Sequence, residues 1–135
     1  GAFEIGTRNV ALTVTKSALV LSDGVNLINP KAIPGATVQY CLLVHNGTLL
    51  TPANGVGLSD VVPANTTYVP GSISIGLPGG TCVLLGSTED DDDSDSGETD
   101  GFTAAFNAGT KTVSANVGTV LGLGSVAVAF KVTIN

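Results

Sequence analysis

A chain of 135 residues is long enough for one domain with a real core. Only 12% of it is charged, about half of what soluble domains usually carry, and the net charge is −6. Those figures exclude a basic face that would seek nucleic acid, and no apolar run approaches the roughly 20 residues that cross a bilayer.

The chain opens on "GAFEIGTRN", with neither an initiator Met nor a positively charged leader, which implies a processed or excised product. Residues 1–9 read as an arm: Phe3 and Ile5 share one face of a short alternation. From residue 10 to 135 the period is two almost throughout, and no helix is predicted. "VALTVTK" puts Val10, Leu12 and Val14 on one face. "TVQYCLLVH" aligns Val38, Tyr40, Leu42 and Val44, which turns Cys41 and Leu43 to the opposite side. That side must be covered by something. "KTVSANVGTV" aligns Val113, Ala115 and Val117, and "SVAVAFKVTI" aligns Val126, Val128, Phe130, Val132 and Ile134. Shorter strands are predicted at 56–61, 67–69, 72–77, 81–85 and 102–106. Turn signals separate them: Ser22-Asp23-Gly24, Pro34-Gly35, Asn46-Gly47, Asn54-Gly55, Pro70-Gly71, Pro78-Gly79-Gly80 and Asn107-Ala108-Gly109. Short alternating strands at this spacing predict a single antiparallel β-sandwich with a core of Val, Leu, Ile and Ala.

The two cysteines, Cys41 and Cys82, have no zinc-ligand spacing and one histidine, His45, between them. A disulfide in an oxidising compartment is the favoured reading, with two buried thiols as the alternative. It would close a loop of about 40 residues, worth roughly 4 kcal/mol on the chain-entropy account.

Eight of the eleven carboxylates fall between Glu89 and Asp100, in an acidic loop predicted over 87–101. Five cations against the other three carboxylates would leave the rest of the chain at +2. Asp91, Asp93, Asp95, Glu98 and Asp100 are candidate calcium ligands, because closely spaced carboxylates on a glycine-containing loop supply the hard oxygens that calcium takes. The EF-hand pattern is not met: Ser96 stands where it needs Gly, and Phe102 where it needs Glu. A solvated, self-repelling loop and a docking site for a basic group are the other readings.

"IPGATVQYCLLVHNG" followed by "ANGVGLSDVVPANTTYVPGSI" resembles the domain-of-unknown-function-eleven family, a β-sandwich repeated in prokaryotic surface proteins. Pro34-Gly35, Tyr40, Asn46, Asp60, Pro63, Tyr68 and Gly71-Ser72 match its pattern in order, and the likeness covers about residues 10 to 135. The resemblance implies an extracellular immunoglobulin-like sandwich without catalytic activity. This chain departs from the family's tandem arrays in being a lone copy with an added arm. Independently of the family, Asp60 is expected to accept turn N–H groups ahead of Pro63, and Tyr40 to bury its ring and reach a loop with its hydroxyl.

No nucleophile motif such as G-x-S-x-G is present, and a chain without Trp lacks the aromatic cleft of most glycosidases, so no enzyme is expected. Asn46-Gly47-Thr48 and Asn65-Thr66-Thr67 are possible glycosylation sequons. A surface so poor in charge suits a protein covered by copies of itself. The expected function is therefore a structural subunit of an extracellular filament or pilus on the cell surface. It would polymerise head-to-tail as its arm adds to the next molecule's sheet, and calcium would stabilise it. Phe3 and Ile5 would lead, with Val10, Leu12 and Val14 on the same exchanged strand. The arm folding back on its own sandwich is the alternative fate. A monomeric adhesion or binding module cut from a tandem-repeat surface protein is the alternative function.

Overall fold

The structure is a computed structural model that describes residues 11–26, 28–76 and 103–135, together with the backbone of 2–4 and 87–88. Its strands are β1 (Ala2–Glu4), β2 (Leu12–Ser22), β3 (Thr37–Asn46), β4 (Ala53–Val61), β5 (Thr66–Tyr68), β6 (Ser74–Gly76), β7 (Ser87–Thr88), β8 (Thr103–Asn107), β9 (Thr112–Val120) and β10 (Ser125–Ile134). All pairings are antiparallel. One sheet has the order β1-β4-β9-β8, the other β2-β3-β10-β6-β7, with β5 also on β10 beyond β6. The two pack face to face as an all-β antiparallel sandwich, the kind that the alternation predicts. Among the described residues there is no helix, hence none long and apolar enough to cross a membrane.

The alternation explains the core directly. Val38, Leu42 and Val44 of β3 meet Val132, Val128 and Val126 of β10 in register, and Tyr40 meets Phe130. Their inward faces join Val56, Leu58, Val113, Ala115, Val117 and Ile75 in one buried cluster. Phe130 is its largest fully buried side chain. On the outer face of the larger sheet, Cys41 lies opposite Ala129 and Leu43 opposite Ala127. Cys41, Ala127 and Ala129 are buried there as a second small cluster, so the side that parity turned outward is indeed covered.

Two strands run differently from their prediction. β2 continues past Lys16 to Ser22, eleven residues paired along the whole of β3. β4 starts at Ala53, so Asn54-Gly55 is no turn between strands but an irregularity within one. The register with β9 shifts on both sides of Val56, and Gly55 has φ +64°. A bulge built on a left-handed residue favours glycine there, because glycine adopts that backbone without a Cβ clash. The predicted strand at 81–85 lies outside the described residues.

Candidate functional site

The sandwich has an upper end, where β3 and β9 finish and β4 and β10 begin, and a lower end, where β2, β4 and β10 finish. At the upper end the 47–52 and 121–124 loops touch. A Cβ on Gly122 would stand 2.7 Å from the Leu50 nitrogen and 2.8 Å from the Thr48 oxygen, so only glycine lets these backbones meet. The pair presents Leu49, Leu50, Leu121 and Leu123 to solvent, Leu50 with 88% of its surface exposed. Leu50 and Leu123 also hold left-handed backbones, at φ +62° and +60°. Such a conformation costs a side-chain-bearing residue about 1–3 kcal/mol, and strain of this sort concentrates at functional sites.

Asn46 locks the same end. It is fully buried, and its Nδ2 donates to the Thr51 and Val120 carbonyls at 2.7 and 3.1 Å. Its Oδ1 accepts from the Thr48 N–H at 2.9 Å. Asn46 is therefore a structural bolt and a poor glycan acceptor in the folded chain, since a glycan would replace one of the two donating Nδ2 hydrogens and find no space at a fully buried side chain. The other sequon differs: Asn65 is exposed in the turn before β5, at φ +63°. The arm also leaves from the upper end, because Ala11 donates its N–H to Thr48 Oγ1 at 2.6 Å and accepts from the Gly47 N–H at 2.7 Å.

At the lower end the 23–36 connection carries Val25 and Ile28, the latter 80% exposed, on a loop tied by one carboxylate. Asp23 Oδ1 accepts from the N–H groups of Val25 (2.8 Å) and Asn26 (2.6 Å). Its Oδ2 accepts from Asn26 Nδ2 (2.6 Å) and from the Lys31 N–H (2.8 Å). Led by the Lys31 N–H, these donors hold the carboxyl far below the usual carboxylate range.

The two long sides of the sandwich are closed by different means. Between β2 and β4, Lys16 Nζ reaches Asp60 Oδ2 at 2.6 Å. The Lys16 side chain is one-third exposed, whereas that of Asp60 is almost wholly buried. The same Nζ lies 4.8 Å from the centre of the Tyr40 ring, within range of a cation–π attraction. Asp60 is thus placed near the end of β4 as an inter-sheet partner of Lys16. Parity carried the missed signal, since Lys16 continues the Leu12/Val14 face and so had to point inward. Tyr40 packs against Phe130 with ring centres 5.7 Å apart.

Between β5 and β8 the closure is aromatic. Tyr68 and Phe106 stack with centres 4.1 Å apart and planes 17° off parallel. Beside them runs an open groove of about 230 Å³ lined by Val62, Thr66, Tyr68, Phe106, Ala108 and Lys111. β8 is the terminal strand of its sheet, and among the described residues it pairs only with β9.

The predicted assembly residues are not gathered in one place. Phe3 lies opposite Leu58 on the far edge of the smaller sheet, where β1 borders β4 of its own chain. Leu12 and Val14 belong to β2, paired with Asn46 and Val44 of β3. Ile5 and Val10 lie outside the described residues, as do Asp91, Asp93, Asp95, Glu98 and Asp100. Cys41 is buried on the outer face of β3, and Cys82 lies outside the described residues. His45 Nδ1 is 2.9 Å from Ser125 Oγ, an ordinary contact near a strand end. Comparison with protein-family models, with curated proteins and with solved structures finds no match for this chain.

Proposed function

We propose that this chain is a structural subunit of an extracellular filament or pilus on a prokaryotic cell surface. It would belong to the domain-of-unknown-function-eleven family and polymerise head-to-tail through its N-terminal strand. The observation that carries this reading is the distribution of exposed apolar side chains. Among the described residues six of the nine stand in end loops, Leu49, Leu50, Leu121 and Leu123 above and Val25 and Ile28 below, while Val61 closes β4 at the lower end and Leu19 and Leu21 lie on the lower half of β2. A monomer has little use for large apolar groups at both ends of one axis. Two unlike ends that each prefer cover make a heterologous contact, and one that does not close into a ring yields a fibre. Strain at Leu50 and Leu123 supports the same reading, because a left-handed turn with no contact to make favours Gly or Asn at such positions over an exposed leucine.

Electron microscopy and light scattering of the full chain test this directly: fibres are expected, and a species that stays monomeric at millimolar concentration would leave a binding module instead. Leu50→Asn separates contact from stability. Asn tolerates the left-handed backbone better than Leu, so the monomer should melt at the same temperature or higher. The critical concentration for assembly should nonetheless rise about tenfold or more, since burying one leucine contributes about 1.5–3 kcal/mol. Unchanged assembly would remove the leucine end from the contact.

Two stabilising devices belong to the same proposal. A Cys41–Cys82 disulfide would fasten the outer face of the larger sheet in an oxidising compartment, and peptide mapping without reductant should recover that pair. Calcium held by Asp91, Asp93, Asp95, Glu98 and Asp100 would turn dense like charge into a crosslink. A chelator should then lower the melting temperature, with poor rescue by magnesium. Identical melting with chelator and with millimolar calcium would reduce the segment to a solvated loop.

A further inference from the structure

We infer that the groove between β5 and β8 is the acceptor for Phe3 of a second copy of this chain, with Glu4 of the incoming arm meeting Lys111 at its rim. The inference rests on the filament reading above and names the surface that the arm would occupy.

The groove has the shape and chemistry of such a site. Its 230 Å³ matches a single large side chain, and its floor is the stacked Tyr68–Phe106 pair with Val62 beside it. Aromatic faces favour an aromatic guest in an offset or edge-on pose. In an extended arm, Phe3 and Ile5 face one way and Glu4 the other, so an inserted Phe3 leaves Glu4 at the rim. There Lys111, exposed on the β8–β9 turn, is the cation that lines the groove. Apolar fill and charge thus match together.

Reach decides that the guest comes from another copy. The arm is anchored at the upper end by Ala11. The groove lies at the lower end, level with Val132–Ile134, which pair with β5. From Ala11 the chain would have to descend about 25 Å and cross a further 10–15 Å around the surface. Eight residue steps back to Phe3 span at most about 28 Å. The chain's own Phe3 accordingly sits at the opposite edge of the smaller sheet from β8.

Direction separates this groove from the other slot that a neighbour's arm could enter. On β4 the pairing Ala2↔Ser59 and Glu4↔Gly57 points the arm's exit toward the upper end. Exchange in that register would bring two upper ends together, which is a closed two-fold pair. An arm that leaves one upper end and fills a groove at the next lower end propagates indefinitely. It also sets the leucine loops of one copy toward Val25 and Ile28 of the next.

Mixed-cysteine trapping in the assembled full-length protein tests the assignment. Chains carrying Glu4→Cys and chains carrying Lys111→Cys, mixed and oxidised gently, should form cross-linked pairs between copies. Ala2→Cys with Ser59→Cys should not. The reverse outcome, or no cross-link in either mixture, overturns the groove. Charge exchange gives a second readout: Glu4→Lys and Lys111→Glu should each raise the critical concentration about two- to fivefold, as exposed ion pairs do. The double variant should restore it; no rescue would count against the contact. Ala108→Trp, which fills the groove from an exposed turn, should leave a folded β spectrum and no fibres. Wild-type fibres that form alongside equally good Ala108→Trp fibres would sink this inference and spare the filament. A wild-type chain that never assembles would sink both.

Discussion

The two long sides of the sandwich solve one problem in opposite ways. Where β2 faces β4, the seam is closed by Lys16 and Asp60 at 2.6 Å, one partner nearly dehydrated and the other one-third in water. Where β5 faces β8, it is closed by two stacked rings with an open groove alongside. A buried charge pair is specific but unforgiving: it fits one partner and penalises any other. An aromatic seam is tolerant and leaves apolar surface that can receive something more. The first side therefore reads as finished and the second as a place to dock.

The largest break in this comparison should come from the aromatic side. Tyr68→Ala removes a buried ring from contact with Phe106 and Phe130 and should cost about 3–5 kcal/mol. Urea unfolding should show that loss to be the same at low and high salt, because no charge is involved. On the other side, Lys16→Met keeps the aliphatic stem but deprives the buried Asp60 carboxylate of its cation. Breaking a fully buried pair costs about 3–5 kcal/mol, and the exposure of Lys16 lowers the expectation to about 2 kcal/mol. Lys16→Met combined with Tyr68→Ala should destabilise by nearly the sum of the two, since Tyr40 and Phe130 stand between the two seams. Strong coupling between them would mean that the sheets slide as one unit and the two sides are not independent.

The smallest effect concerns the lower end. Asp23 is held ionised by four donors, so its folded-state carboxyl titrates below its unfolded value. The stability it contributes is fully present above about pH 4, the unfolded value, and is lost progressively as acid protonates the folded form. Asp23→Ala should abolish that acid dependence. It should also speed amide exchange at Val25, Asn26 and Lys31 while leaving β3 and β10 protected. Unchanged exchange at these three amides would mean that the turn is held by its backbone rather than by the carboxylate.

The sequence by itself determined the class of fold and which residues face inward along each long strand. Alternation is a local property: Val126, Val128, Phe130, Val132 and Ile134 fall on one side of any extended chain, whatever lies next to them. It also carried the prediction that the Cys41 side is covered and that the segments around Gly24 and Asn107 turn. It did not determine which edges become neighbours, because strand order follows from burial summed over residues far apart in the chain. The Lys16–Asp60 pair depends on that order, which no period-two pattern can place. Asn46 looked like a surface sequon until the loop at 121–124 closed over it and made its amide a bolt. The groove was the least legible feature of all. Val62, Tyr68, Phe106 and Lys111 are spread over some fifty residues, and only the packing of β5 beside β8 makes them one surface.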